Sequence, residues 1–267
     1  MQPTPSPDNL YLGAGSVFFD RFDADGKSTG LRHLGNVDTF EINMTIEKSE
    51  KKNAMDGTKA TYAEIVTGMN AEVTMTITEY VPENVALAVM GEASQFVQSA
   101  VPAFTDRAFG PAAGSVKLDV FYDLGYLNPT VTAIKQGSAT LNADAYELRL
   151  ESGLVRLRSE YTGAGAATAG GGALTWSGSA PAITATAGKQ IVQGMTTGSL
   201  KGRLHYESAA NQVQGPRVLV DVWICGLNPE GALGLITEDF GTFQLKGKIY
   251  ADTSRPVSAQ YFRVIYP

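Results

Sequence analysis

The sequence predicts a mainly β protein with one flanking α-helix. Three observations carry that expectation. Apolar and polar residues alternate in short runs, as in Glu41-Ile42-Asn43-Met44-Thr45-Ile46-Glu47 and Glu72-Val73-Thr74-Met75-Thr76-Ile77, and a period of two sorts side chains onto the two faces of a pleated strand. The 29 Gly and 12 Pro among 267 residues suit many short strands joined by turns. Residues 82–91, Pro-Glu-Asn-Val-Ala-Leu-Ala-Val-Met-Gly, form the clearest helical segment, with proline and an acid in the first turn and glycine at the end.

Taken in order, residues 1–9 are a proline-rich extended lead, and residues 10–267 read as a single β-rich domain, a length that all-β folds commonly reach. Residues 17–22 form a strand, Asp23-Ala24-Asp25-Gly26 a turn, and residues 31–37 resume an extended path. The two alternating arms follow, separated by a long charged loop at residues 48–70. Hairpin loops usually need about two to five residues, so so long a connection calls for a use. In the helix, Val85, Ala86, Val89 and Met90 fall on the packed side. Residues 94–109 carry Phe96, Val97, Val101, Phe104 and Phe109 without a period, which predicts irregular or partly helical structure. Strands at 117–122 and 130–134 flank a turn, and strands at 146–151 and 154–158 flank Ser152-Gly153, a two-residue hairpin signal. Arg149, Arg156 and Arg158 are expected to pair across strands with Glu147, Glu151 and Glu160. Residues 162–181 are rich in Gly and Ala and read as a flexible loop without core-forming side chains. Strand patterns return at 183–194, 202–207, 217–225, 240–250 and 261–266.

The single cysteine makes no internal disulfide, and Cys225 sits in an apolar run that suits a buried, inert thiol. No segment has the length of a membrane span and the start lacks the pattern of a signal peptide, so a soluble protein of the cytoplasm with no membrane partner is expected. A net charge of −6 argues against a surface that grips nucleic-acid phosphates. Gly26-Lys27-Ser28-Thr29-Gly30 has the spacing of a nucleophile elbow and ends like a phosphate loop, yet no helix follows and Arg21 stands where a phosphate loop needs glycine. Asp23-Ala24-Asp25-Gly26 fails as a calcium loop because Arg21 and Arg32 occupy ligand positions. His33 and His205 belong to no ligand motif and read as surface or satisfied strand histidines. Neither catalytic residues nor a cofactor or metal site is expected.

The order of features then becomes informative. Asn9-Leu10-Tyr11-Leu12-Gly13 leads into a strand, followed by Gly35-Asn36-Val37-Asp38-Thr39-Phe40-Glu41-Ile42, the charged loop, a threonine-rich return strand and the helix from Pro82. This resembles the tail tube (major tail) protein of long, non-contractile-tailed bacteriophages, the siphophages. The resemblance runs over residues 9–95, is weaker at 115–160 and 200–267, and does not cover the glycine-rich stretch. It implies a β-sandwich or barrel-forming fold whose subunits join in six-membered rings, with rings stacked into a tube that conducts double-stranded DNA. It also implies a place in the virion tail after assembly in the host cytoplasm, with tape-measure, tail terminator and tail-tip proteins as further partners. On that resemblance the loop between the arms is an inter-ring and inter-subunit contact. Lys48, Glu50, Lys51, Lys52, Met55, Asp56, Lys59, Tyr62, Ile65 and Met69 are its candidate residues. The polar faces of the arms, Glu41, Asn43, Thr45 and Glu47 with Glu72, Thr74, Thr76 and Thr78, are the candidate lumen lining. Six copies at −6 each give a ring of formal charge −36, so an acidic lumen would repel phosphates and let DNA slide. The alternative expectation is a tail binding module or adhesin that recognises a host surface glycan through an aromatic groove, with an esterase built on Ser28 more distant.

Overall fold

A computed structural model describes residue 6 and residues 10–55, 57–210 and 214–267. The expected proline-rich lead, apart from Ser6, lies outside the described residues. The fold is mainly β, with antiparallel ladders and, among the described residues, one α-helix. In chain order the first elements are β1 (Gly15–Arg21), β2 (Arg32–His33), β3 (Val37–Lys52), β4 (Thr61–Ile77), α1 (Pro82–Ala88), β5 (Glu92–Gln95), β6 (Val101–Phe109), β7 (Phe121–Asp123) and β8 (Thr130–Gln136). They are followed by β9 (Ala139–Thr140), β10 (Tyr146–Arg149), β11 (Leu154–Leu157), β12 (Leu174–Ala180), β13 (Gln190–Gln193), β14 (Leu200–Ser208), β15 (Leu219–Glu230), β16 (Phe243–Tyr250) and β17 (Phe262–Ile265). The sequence reads residues 10–267 as one domain; contacts gather into two compact units, one made of the chain up to Ser94 with Ile191–Pro267, the other of Gln95–Gln190.

The first unit is an eight-stranded sheet in the order β2-β1-β14-β15-β16-β4-β3, with β17 added to β15. The sheet curls, because Phe40 of β3 stacks on Tyr206 of β14 with ring centroids 5.7 Å apart and planes 17° from parallel, although β15, β16 and β4 separate those strands in the sheet. Its concave face is the core. Met75 and Val73 of β4 lie opposite Leu245 and Gly247 of β16, and Leu204, Val222 and Leu227 join them with no exposed surface. The alternation of β4 is thus used as the sequence predicts, with Val73, Met75 and Ile77 buried and Glu72, Thr74 and Thr76 on the opposite face.

Helix α1 starts on Pro82, where the missing N–H has no intrahelical partner to lose. Its buried residues are Asn84, Ala86 and Leu87, a different stripe from the expected Val85, Ala86, Val89 and Met90. The difference comes from Asn84, whose amide Nδ2 donates to the Leu34 carbonyl at 2.7 Å and the Glu79 carbonyl at 3.1 Å and so draws that face inward. A polar residue that caps loop carbonyls is invisible to a pattern based on hydrophobicity.

The second unit holds the three-stranded sheet β10-β11-β7 and the four-stranded sheet β6-β12-β8-β9, which share one core of Ile134, Val155, Leu157, Leu174 and Trp176 among others. Three sequence expectations change here. Residues 101–109 are strand β6, and the missing period reflects bulges in its pairing with β12. The predicted flexible loop at 162–181 ends in β12, which lies between β6 and β8 and buries Trp176 completely, while Ala167 also joins the core. Small residues here serve close packing, since a Cβ on Gly178 would sit 2.0 Å from the Thr130 carbonyl oxygen. The β10–β11 connection is a 3-10 turn, Leu150–Ser152, closed by Gly153 in the left-handed region at φ 68°, rather than a two-residue turn. The strand expected at 117–122 starts only at Phe121. The arginine cluster pairs as expected with Glu147 and Glu160, Arg156 reaching Glu147 at 3.1 Å and Glu160 at 3.6 Å, whereas Glu151 makes none of these ion pairs. Of residues 183–194 only β13 is strand, and it pairs with β5.

Candidate functional site

The arms of the opening hairpin do not end where the sequence places a loop. β3 continues to Lys52 and β4 starts at Thr61, with Lys52 opposite Thr61, so residues 48–52 and 61–70 form a two-stranded ribbon. Bulges at Glu47/Lys48 and Lys51/Lys52 break the alternation, which is why the charged run hides its strand character. The ladder of β16 against β4 stops at Ile249 opposite Ala71. Beyond that point β4 pairs with β3 alone, and β3 pairs only with β4 along its whole length. Both outer edges of the ribbon therefore carry backbone donors and acceptors without strand partners among the described residues.

The face of the hairpin that is buried at Val73 and Met75 runs on into the ribbon. Met44 stands opposite Ala71 and Ile46 opposite Met69, and Met44, Ile46 and Met69 are 70, 56 and 65% exposed. Met55, Tyr62, Ile65 and Val66 are exposed as well. A two-stranded ribbon is marginal in water by itself, and a run of exposed apolar side chains of this length marks a contact surface. The charges are arranged around it. Lys48 Nζ lies 2.7 Å from Glu64 Oε1, which offsets the direct opposition of Glu50 and Glu64 across the ladder. Lys51 and Lys52 are exposed and make no ion pair among the described residues. Lys59 takes a left-handed conformation at φ 47° in the turn, and Asp56 lies outside the described residues.

The opposite face carries the expected polar set. Glu41 is opposite Thr74 and Asn43 opposite Glu72, Asn70 Nδ2 donates to Glu47 Oε1 at 2.8 Å, and Thr45 is exposed. Thr78 lies past the end of β4, where its hydroxyl accepts from Asn36 Nδ2 at 2.8 Å. The ladder adds residues the sequence pattern did not connect to this face: Lys246 lies opposite Thr74 and Lys248 opposite Glu72, and Lys246 Nζ reaches Glu72 Oε2 at 3.2 Å. Carboxylates and lysines are thus interleaved.

Farther along the same sheet, Asp221 is 2% exposed and accepts from Arg203 at 2.6 Å, Arg263 at 2.8 Å and His205 Nδ1 at 2.9 Å. Burial pushes its carboxyl up, and the hydrogen bonds from Arg203, Arg263 and His205 outweigh burial and hold it down at about 2. The guanidinium of Arg255 lies 3.4 Å over Trp223, and those of Arg203 and Arg263 flank the same ring. The other ring nitrogen of His205 faces Glu207 at 2.9 Å, and Nδ1 of His33 accepts from the Gly35 N–H at 2.8 Å. Ser28 donates to the buried Asp20 carboxylate, which also accepts from the N–H groups of Thr29 and Gly30, so this serine fastens a turn. Cys225 is buried, and burial pushes its thiol up. Among the described residues, no group of three His, Cys, Asp or Glu is placed to hold a metal ion, and no helix is long and apolar enough to cross a membrane.

A family described as "Protein of unknown function UCP028589" matches residues 10–265. The chain belongs to that family. The family match includes both compact units and the whole ribbon. Comparison with curated proteins gives no match.

The sequence reading assigns Leu235 and Ile236 no role and starts a strand at Phe240, whereas β16 begins only at Phe243, and Leu235, Ile236 and Phe240 stand 81, 99 and 97% exposed on the loop between β15 and β16. Their signal was an apolar run, Ala232-Leu233-Gly234-Leu235-Ile236, that follows neither a helical nor a strand period. A groove of about 630 Å³ also opens beside β3, lined in part by Tyr11, Phe40, Tyr206 and Tyr266.

Proposed function

We propose that this chain is a structural subunit that assembles with copies of itself into stacked, six-membered rings forming the tail tube of a siphophage, and that it is not an enzyme. The observation that carries this reading is the β3–β4 ribbon, whose two open edges and exposed Met44, Ile46, Met69, Tyr62 and Ile65 ask for a protein partner. Self-association supplies one: a neighbour can pair with the open edges and cover the apolar face, and a heterologous contact repeats into a ring or filament. In this reading the polar face with Glu41, Asn43, Glu72, Thr74 and Thr76 lines the lumen. Lys246 and Lys248 share it, so the lining is a mixed surface within a particle of acidic net charge, and duplex DNA passes without a cationic track to hold it. Tape-measure, terminator and tip proteins are its further partners in the virion tail.

Deleting residues 50–68 tests the ribbon's role. It leaves residues 47–49 as a short connection between Ile46 and Met69, which already face each other, so the sheet should fold. The expected product is a folded protein that no longer extends tubes; tubes of wild-type length would refute the reading.

A second reading has one observation in its favour, the groove with Tyr11, Phe40, Tyr206 and Tyr266, since aromatic rings offer the flat apolar surfaces that glycan binding uses. Glycan-array binding by a protein that stays monomeric would favour a tail adhesin over a tube subunit.

A further inference from the structure

The loop at residues 231–242 carries three large apolar side chains that find no place in their own fold. Leu235 is 81%, Ile236 99% and Phe240 97% exposed. Single exposed apolar residues are ordinary, whereas three within six positions form a patch. Between them stand Glu238 and Asp239, which make no ion pair among the described residues.

At the opposite end of β15 and β16 lies an unfilled recess. Where β4 runs past the end of β16 and β17 takes over beside β15, a notch of about 280 Å³ opens between Met44, Ile46, Met69 and Ala71 on one side and Tyr261 and Phe262 on the other. The register fixes the separation. Phe262 pairs with Val222, near the start of β15, while the loop leaves β15 after Glu230. Eight extended residues at ~3.3 Å each put roughly 26 Å between them, so a chain cannot place its own loop in its own notch. The notch is lined mainly by apolar side chains, while Lys51 and Lys52 lie beyond it on β3, about 16–20 Å past Ile46 at ~3.3 Å per residue.

We propose that the loop bearing Leu235, Ile236 and Phe240 of one copy seats in the notch between the ribbon and β17 of the next copy. Donor and acceptor surfaces lie at opposite ends of the same strands, so the contact is heterologous and propagates along the strand direction. The inference rests on the assembly reading above and adds which two surfaces meet. It gives the ribbon base the role of acceptor for a loop that the opening hairpin does not contain.

Complementation between two variants tests it. Ile236→Asp spoils the loop and Met69→Asp spoils the notch, and both positions are exposed enough to leave the fold intact, which matching melting curves would verify. In negative-stain micrographs each variant alone should lose stacking beyond the single ring. An equimolar mixture should regain stacked pairs and nothing longer, because one intact loop then meets one intact notch. Wild-type tubes with unimpaired stacking in either aspartate variant, or a mixture that fails to pair, would overturn this contact and leave the assembly reading standing. A wild-type protein that never assembles would remove both.

Discussion

Asp221 is a carboxylate with almost no access to water, kept ionised by two arginines and a histidine drawn from β14 and β17. Its folded pKa of about 2 lies below the ordinary value of 3.8, so its contribution to stability is complete above pH 4 and is lost as pH falls through 2. A shift of that size corresponds to about 2 kcal/mol. In Asp221→Asn, urea unfolding at pH 7 should show a loss of that order, and the further drop between pH 4 and 2 should flatten; an unchanged acid limb would count against the network. A second residue-scale expectation concerns Trp176, fully buried against Phe104 at 4.6 Å between ring centroids. Trp176→Ala should destabilise residues 95–190 by about 3–5 kcal/mol, seen as lost hydrogen-exchange protection there; retained protection would refute its place in the core. Cys225 was legible because an apolar run surrounds it. Asp221 was not, since its partners at 203, 205 and 263 reach it only through strand pairing that one sequence does not display.

The ribbon shows the same limit one level up. Its arms were legible from strict alternation at 41–47 and 72–77, where one face is buried and the other is not. Its outer half was read as a loop because two bulges shift the register and because no buried face imposes a pattern on a segment exposed on both sides. β12 was missed for the opposite reason: it is buried on both faces among close neighbours, so Gly, Ser and Ala replace the usual large residues and composition imitates a linker. If the apolar face of the ribbon serves assembly rather than folding, Met44→Thr/Ile46→Thr should change unfolding free energy by less than about 1 kcal/mol while abolishing tube growth. Circular-dichroism melts and sedimentation velocity on the same samples separate the two effects. A large fall in melting temperature would mean that the face supports the fold, and undiminished assembly would mean that it does not mediate contact.

At the scale of the molecule, the division into two compact units left no trace in composition. The chain passes from one to the other near Ser94 and Gln190 through the short strands β5 and β13, without a Pro-rich or charged linker. The first unit carries the ribbon, the notch and the exposed β15–β16 loop on which the assembly proposal rests, while edge strands such as β6 and β10 occur in the second unit as well. The second has a closed core of its own and none of the assembly features argued above. The central claim is that copies of this chain build rings and tubes, and negative-stain microscopy of the purified protein over a range of concentration and salt tests it most directly. Rings and stacked tubes with an open lumen are the expected result; particles that stay strictly monomeric under all these conditions would contradict it.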